Sequence, residues 1–554
     1  MNTKPIILTS CLFLALPGVS FSQEVSQEIK NDSKCRCCEV GRFYAPWLKD
    51  LAKPKMREFL GNAELKITTK SEKAQAYFNQ GLNCLHGFWE VEAYRYFLAA
   101  VEEDPDCAMA YWGICMSLPG KINEAQEERD AAFKQAVELS KDVSEHEKLY
   151  ISMLSSLLTS GSKTACVSLA EIIEKFPTDL NAVGLYAYWN QRGYTTKGEP
   201  KEKTKESIKL LESGLEKSPD HVGLIHYYVH VLEQGPEFLK ALPHVKKLTS
   251  KGKDISHLLH MPGHIYFLAG DYTSASTAFK QCYDSERNYF TTEKLTPSDL
   301  PNYSHNLHFW AKNEAERGNY TEALRIAQVL KTSLTESKRE NITNSQNDYI
   351  LATLEAYVHM RFREYSKASK LLDFTLYGEE TSLRYYVKFL RHYCDLKAEM
   401  NGAGDWNRVF ELSEEMEVTM EKFQKSRGKI KTAAREDVRA ATIMNIYNEA
   451  AKVWMFNVDK KEKMDLSLAD ILLEKEAEMF YTEPPMLVSP MAEELGWLCL
   501  KFGENEKAIS YFEKALKKRP KSGHIYSGML KAYEKLGKPA KIAEYQKLLE
   551  TAWK

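Results

Sequence analysis

The sequence predicts an all-α fold in which pairs of helices stack into one continuous solenoid. Glycine and proline number only 27 and 19 in 554 residues, which favours helices over turn-rich sheets. One set of spacings, Gly-x11-Ala-x3-Phe-x2-Ala-x4-Pro, occurs near both ends of the chain, with partial copies between them. Units of this length cannot bury their apolar faces alone, so they stack into arrays.

The amino-acid composition is that of a globular protein without a nucleic-acid signature. Hydrophobic residues make up 44% and charged residues 27% of the chain, and the mean hydropathy is -0.45. The 75 basic and 77 acidic residues leave a formal net charge of -2. This balance gives no basic surface for DNA or RNA, so we expect no nucleic-acid partner.

The first residues have the features of a secretory signal peptide. Lys4 gives a positive start, an apolar run extends from Ile6 to Leu16, and small residues precede Gln23. We therefore expect cleavage after residues 1–22 and a periplasmic or secreted mature protein. No later segment has about 18 consecutive apolar residues, which predicts no membrane span after signal removal.

Residues 23–72 are predicted to form an N-terminal segment that begins as a polar tether and carries a cysteine cluster. Cys35, Cys37 and Cys38 lie close together, and an oxidising compartment would permit a disulfide there. A soft metal such as Cu(I) is the alternative ligand of this cluster. The seven later cysteines lie singly among apolar residues and are expected to be buried free thiols.

Residues 73–554 are predicted to form the helical repeat array. Two full copies of the spacing are present, as Gly81, Ala93, Phe97, Ala100 and Pro105, and as Gly496, Ala508, Phe512, Ala515 and Pro520. The pattern resembles the tetratricopeptide repeat (TPR), a helix-turn-helix unit of about 34 residues. The resemblance implies a right-handed superhelix whose first helices line a concave groove. A last helical segment before Trp553, with a polar face, is expected to cap the array.

Histidine is concentrated in the middle of the array, where nine of the 14 histidines lie between His221 and His308. Their positions repeat when they are counted back from the close-packing alanine of each repeat, at Ala241, Ala275 and Ala323. Fifteen and eleven residues before these alanines lie His226 and His230, His260 and His264, and His308 and Lys312. Eighteen residues before the second and third alanines lie His257 and His305.

Residues three or four apart share one face of a helix, so these histidines are expected to meet in the groove at 221–312. Neutral imidazole is the commonest metal ligand in proteins. The seven predicted ligands of a copper, zinc or iron ion are His226, His230, His257, His260, His264, His305 and His308. Glu233 shares the face of His230 and is a candidate general base, ligand or acceptor of an imidazole N–H. Pro262 is expected to kink or restart its helix.

Four segments resemble an extended family of large secreted bacterial TPR proteins. They are DPDCAMAYWG at 104–113, HMPGHI at 260–265, YSHNLHF at 303–309 and YTEPP at 481–485. The resemblance implies the fold and the importance of the histidine segments, and it implies no particular reaction. Glu483 in the last segment is predicted either to belong to a helix-entry loop or, if the superhelix curls tightly, to approach the histidines.

Two functions remain open at this point. The chain has no P-loop, no dinucleotide-binding glycine motif, no G-x-S-x-G, no C-x-x-C-H and no H-E-x-x-H. One hypothesis is a secreted protein whose groove binds a transition metal or a small ligand, with or without metal-dependent catalysis. The alternative is a non-catalytic TPR scaffold that captures a peptide or protein partner in the groove.

Overall fold

A computed structural model describes residues 48–49, 51–118, 123–336, 345–402, 405–427, 435–458 and 466–553. The predicted signal peptide and the Cys35 cluster lie outside the described residues. Within the described ranges the chain forms 24 α-helices, and its only β-structure is an isolated bridge between Tyr194 and Pro200. The predicted all-α solenoid is confirmed.

The helices follow one another in antiparallel pairs along the chain. Their bounds are α1 Glu72–His86, α2 Glu90–Glu103, α3 Ala108–Ser117, α4 Asn123–Leu139, α5 Glu145–Ser160, α6 Ser162–Lys175, α7 Leu180–Asn190, α8 Glu202–Lys217, α9 Val222–Leu232, α10 Leu242–Lys251, α11 Ser256–Leu268, α12 Tyr272–Glu293, α13 Pro301–Glu316, α14 Tyr320–Glu336, α15 Ser345–Arg361, α16 Tyr365–Leu371, α17 Ser382–Asn401, α18 Trp406–Ser426, α19 Arg435–Val458, α20 Ser467–Ala477, α21 Met491–Lys501, α22 Asn505–Leu516, α23 Gly523–Lys535 and α24 Pro539–Ala552.

The repeated glycines lie where two helices touch. A Cβ atom added to Gly81 would lie 2.8 Å from the ring of Phe97, and Gly113 of the next unit contacts the same ring. Gly496 has the same relation to Phe512, with a nearest distance of 2.6 Å. Each phenylalanine therefore fills the space between units, and only glycine leaves room for its ring.

The N-terminal segment packs onto the first repeats over its described part. Leu60 and Ile67 are buried, and the Ala63 N–H donates to Asn83 Oδ1 at 2.8 Å. The Asn83 amide donates in return to the Ala63 carbonyl at 2.8 Å. The apolar residues of 51–71 thus cover one side of the array, whereas the sequence indicated a tether only in the polar part before Cys35.

The C-terminal repeats pack against the middle of the array. Arg361 is buried and forms ion pairs with Glu316 at 2.8 Å and with Glu493 at 2.7 Å. The Tyr272 hydroxyl donates to the Pro520 carbonyl at 3.0 Å. The contacts of Arg361 with Glu493 and of Tyr272 with Pro520 join parts of the chain that are more than 100 residues apart in sequence, so the solenoid curls until its C-terminal part faces its own middle repeats.

The outer ends of the array are polar. Helix α24 has no buried residue, which agrees with a capping position. In the described part of the chain, we find no helix with the length and apolar character that crossing a membrane requires.

Candidate metal centre

Helices α9, α11 and α13 place the predicted histidines side by side. They are the first helices of three successive repeats, and their inner faces pack into the core. Pro262 lies inside α11, but the helix continues from Ser256 to Leu268 without a break. The expected restart of the helix is therefore wrong, whereas the kink stays a prediction. His260 and His264 keep their spacing of one helical turn.

Six of the seven predicted histidines meet in two groups. In the first histidine group, formed by His226, His230 and His257, one ring nitrogen of each residue lies within 4.8 Å of the other two. His260, His264 and His305 form the second histidine group by the same criterion. All six side chains are buried, and four of them have no solvent exposure.

The two histidine groups are copies of one another along the solenoid. Each takes two histidines from the positions fifteen and eleven residues before the close-packing alanine of one repeat. The third histidine comes from the position eighteen residues before the alanine of the next repeat, which is His257 or His305. The stacking of repeats thus generates the same three-histidine arrangement twice.

In the first histidine group, oxygen acceptors determine which ring nitrogen carries the proton. His226 Nδ1 lies 2.5 Å from the His86 carbonyl, and His230 Nδ1 lies 2.7 Å from Glu233 Oε1. His257 Nδ1 lies 3.1 Å from Asn302 Oδ1. A carbonyl or carboxylate oxygen can only accept, so each Nδ1 is the N–H donor and each Nε2 carries a lone pair.

The second histidine group has the same proton assignment. His260 Nδ1 lies 2.7 Å from Asn306 Oδ1, and the Asn306 amide nitrogen donates to the Phe279 carbonyl, which fixes the orientation of the amide. His264 Nδ1 lies 2.9 Å from Glu233 Oε2 and 2.7 Å from Glu483 Oε2. Both rings therefore direct an unprotonated Nε2 at the centre of the group.

These lone pairs converge on one another. His226 and His230 face each other at 2.9 Å between their Nε2 atoms, and His260 and His264 do so at 2.6 Å. The Nε2 atom of His257 and both ring nitrogens of His305 have no hydrogen-bond partner among the described residues. Two lone pairs at such distances repel unless a proton or a metal ion lies between them. Tetrahedral coordination with bonds of about 2.0–2.1 Å places two imidazole nitrogens roughly 3.3 Å apart.

Burial favours the neutral form of five of these imidazoles. Loss of solvent is the largest cause that lowers the pKa of His226, His230, His260 and His305 well below 6.5, and the neighbouring histidines lower it further. Burial likewise lowers the pKa of His257 to about 4. The neutral ring is the form that binds a metal ion.

Two glutamates connect the histidine groups on the outer side of the rings. Glu233 accepts from one histidine of each group, so its carboxylate couples the two arrangements. Glu483 enters from the segment 481–485 and pairs with His264. Burial alone would raise the pKa of Glu483, but the interaction with His264 outweighs it and lowers the pKa to about 2. Of the two placements predicted for Glu483, the structure has the one against the histidines.

His308, the seventh predicted ligand, lies in neither histidine group. It lines a cavity of about 90 Å³, together with Lys312, Glu483 and residues of α15, α17 and α19. His308 is only partly buried, whereas the other six are buried. The array therefore contains two complete histidine groups and then a cavity.

Sequence reasoning missed several partners of the rings. Asn302 and Asn306 lie one turn apart on α13 and each accept from a histidine of α11. Phe88 stacks on His230 at 5.3 Å between ring centroids, with the ring planes 19° apart. The spacing of Asn302, Asn306 and His305 on one helix could have indicated the two asparagines, but Phe88 is distant in sequence and carries no such signal.

Comparison with protein families identifies a tetratricopeptide repeat over residues 491–522. This segment contains the second full copy of the Gly-Ala-Phe-Ala-Pro spacing, so the chain carries TPR repeats in an α-solenoid. Comparison with curated proteins finds no match.

Two solved structures illustrate how distant the structural similarities are. The APC/C hetero-tetramer Cut9–Hcn1 matches at 12% identity, with 74% of this chain and 87% of that chain covered and a TM-score of 0.25. The Naa15/Naa10 complex bound to HypK-THB matches at 10% identity over 86% and 88% of the two chains, with a TM-score of 0.21.

Proposed function

We propose that the protein binds two transition-metal ions, one in each histidine group. The observation that carries the proposal is the convergence of unprotonated Nε2 atoms, because five of the six rings have Nδ1 directed at an oxygen acceptor. Ligating histidines in proteins commonly donate their other N–H to such an acceptor, which fixes the ring and strengthens the ligand.

The donor set favours zinc or copper. Imidazole suits Zn, Cu, Fe and Ni, and the common non-haem iron site adds a carboxylate to two histidines. Here the carboxylates of Glu233 and Glu483 face the Nδ1 atoms, on the side away from the converging Nε2 atoms. The ligands of each proposed ion are therefore three neutral nitrogens, and iron is the less suitable of the three predicted metals.

Three protein ligands leave a further coordination position for water or substrate. Catalytic zinc sites commonly have this composition, whereas structural zinc sites have four protein ligands. We infer that the two ions serve metal-dependent chemistry on a small molecule. In this proposal Glu233 orients one ring of each group. This role replaces the role of general base that the sequence indicated for Glu233.

A scaffold function with a peptide or protein partner remains the alternative, and the TPR match supports it. The groove segment that such a partner would use at 221–312 is filled by buried side chains and by Glu483. A partner protein would therefore bind another face of the solenoid, and this role is compatible with bound metal.

Metal analysis of the untagged full-length protein tests the proposal. Elemental mass spectrometry after reconstitution with zinc or copper should give about two ions per chain, with the stoichiometry expected for two three-histidine sites. His230→Ala should remove the ion of the first group and His264→Ala that of the second. His392→Ala is the matched control, because His392 lies outside both groups and faces Glu415.

The outcomes separate the hypotheses. The proposal is supported if the native protein and the His392→Ala control bind two ions and each of the two groove variants loses one of them. An absence of bound metal after reconstitution, or equal loss in all three variants, refutes it. Electron paramagnetic resonance of the copper-loaded protein adds a direct readout, since nitrogen hyperfine splitting should report the imidazole ligands.

A further inference from the structure

We propose that the cavity beside the second histidine group binds a small aromatic carboxylate, held by Lys312. The proposal deepens the proposed function, since it identifies the class of molecule brought to the metal ions. The cavity contains one buried lysine, several phenol rings and a wall shared with the histidine groups.

The cavity occupies the third position of the series that produces the two histidine groups. The two residues fifteen and eleven before Ala323 are His308 and Lys312, and the residue eighteen before Ala368 is Ile350. All three line the cavity. The first two positions each have three histidines, whereas the third has His308, Lys312 and Ile350. The equivalent place in the third repeat is therefore suited to a different ligand.

Lys312 is a buried amine without a carboxylate partner, and burial lowers its pKa well below 10.5. Its side chain is 6% exposed, its Nζ atom donates to the Pro485 carbonyl at 3.1 Å, and it lies 4.0 Å from the centroid of the Tyr357 ring. No carboxylate oxygen of the described residues lies within 4.0 Å of Nζ. A buried ammonium group is costly unless an anion pairs with it, and a ligand carboxylate in the cavity would supply that anion.

The other ionisable side chains of the cavity already have partners. Arg439 and Glu436 both line the cavity and pair with each other at 3.0 Å. Glu483, the other carboxylate of the lining, lies 2.7 Å from His264. Lys312 is therefore the cationic side chain of the described lining that an anionic ligand would pair with.

The remaining lining favours an aromatic body on the ligand. Tyr349, Tyr357, Tyr386 and Tyr447 line the cavity, together with leucine, isoleucine and methionine side chains. Mostly apolar and aromatic pockets with a few placed polar groups are typical of small-molecule sites. Aromatic rings pack against one another in offset or edge-to-face geometry, which a flat ligand can satisfy between these tyrosines.

The cavity adjoins the proposed metal site. Glu483 lines it and also pairs with His264 of the second histidine group. His308 lines it one helical turn from His305. A carboxylate bound at Lys312 would therefore place the ligand beside the second group rather than at a remote surface.

Binding of benzoate to the full-length protein tests the inference, with benzamide as the neutral probe of the same shape. Isothermal titration calorimetry should show benzoate binding at least tenfold more tightly than benzamide. Lys312→Met should weaken benzoate binding at least tenfold and leave metal content unchanged. Lys312→Arg should restore part of the affinity, and Lys367→Met is the control because Lys367 is exposed.

A second variant keeps the test valid if Lys312→Met does not fold. Ile350→Phe fills the cavity and retains the lysine, so it should also weaken benzoate binding. Equal binding of the two probes, or benzoate binding that survives both variants, overturns the inference, as does failure of benzoate to bind.

The two proposals fail separately. His230→Ala should lose one metal ion and keep benzoate affinity, because His230 does not line the cavity. Lysine-dependent benzoate binding to a protein that takes up no metal would support the anion site and refute the metal sites. Uptake of two metal ions without benzoate binding would support the metal sites and refute the anion site.

Discussion

The two histidine groups and the cavity occupy equivalent positions in successive repeats, yet their chemistry differs. At the first two positions, the three side chains that meet between neighbouring first helices are all histidine. At the third position they are His308, Lys312 and Ile350, and they line a cavity. The packing of the repeats is shared, so the difference lies in the side chains on the concave face.

This comparison shows how a repeat protein separates stability from function. The glycine-phenylalanine contacts that hold the units together recur in α11 and α12 and in α21 and α22, at Gly263 with Phe279 and at Gly496 with Phe512. The concave positions are free to vary because they do not form these contacts. The predictions below test how far the two kinds of position are independent.

The largest expected effect is the creation of a third metal site. The double substitution Lys312→His and Ile350→His would place three histidines at the third position, with His308 as the native member. We expect metal content to rise from about two to about three ions per chain, with the third ion bound more weakly because its rings lack oxygen acceptors. Elemental mass spectrometry measures the stoichiometry, and an unchanged value would show that the register alone does not define a site.

Glu233→Gln should weaken both metal sites together. Glu233 accepts from His230 and from His264, so its neutral amide would orient both rings less well. Loss of such a partner typically costs about 10–100-fold in metal affinity. Competition with a chromophoric chelator measures both affinities. Glu237→Gln, at an exposed glutamate that pairs with Lys240, should leave them unchanged, and an effect on one site only would contradict the bridging role.

Gly263→Ala and Gly496→Ala should destabilise the fold by similar amounts. In each case the new Cβ would overlap a phenylalanine ring, and overpacking of this kind costs about 1–3 kcal/mol. Urea unfolding of the metal-free proteins measures the change. Gly263→Ala should also weaken the second metal site, since Gly263 precedes His264. Equal metal binding in both variants would show that the site tolerates movement of α11.

A buried histidine outside the groups makes the free energy of unfolding depend on pH. Burial lowers the pKa of His524 from 6.5 to about 3, so the unfolded chain binds its proton at a higher pH than the folded protein. This residue therefore makes the free energy of unfolding fall as pH decreases from about 6.5 towards 3, by at most about 1.4 kcal/mol for each pH unit.

His524→Gln should remove this dependence. The slope of the unfolding free energy against pH should decrease by up to about 1.4 kcal/mol for each pH unit, which corresponds to one bound proton. Urea unfolding of the metal-free protein at pH 4.5 and 6.5 measures this slope. The same slope in the wild type and the variant would contradict the assignment.

Much of the fold could be predicted from the sequence. The Gly81 and Gly496 spacings indicated helix pairs because only small residues allow two helices to approach a phenylalanine so closely. The spacing of His226 and His230, and of His257, His260 and His264, indicated a shared face on each helix because residues three or four apart are neighbours on a helix. Of the two effects predicted for Pro262, the restart is wrong, since α11 continues through this residue.

The sequence by itself therefore determined the repeat architecture and the positions of the histidines in each unit. Only the tertiary structure decided how they divide into two groups, because each group joins two helices of different repeats. It also decided that Glu483 meets His264, a contact across more than 200 residues that depends on the curl of the solenoid. Local periodicity fixes what lies on one helix, whereas contacts between helices depend on the packing angles of every unit between them.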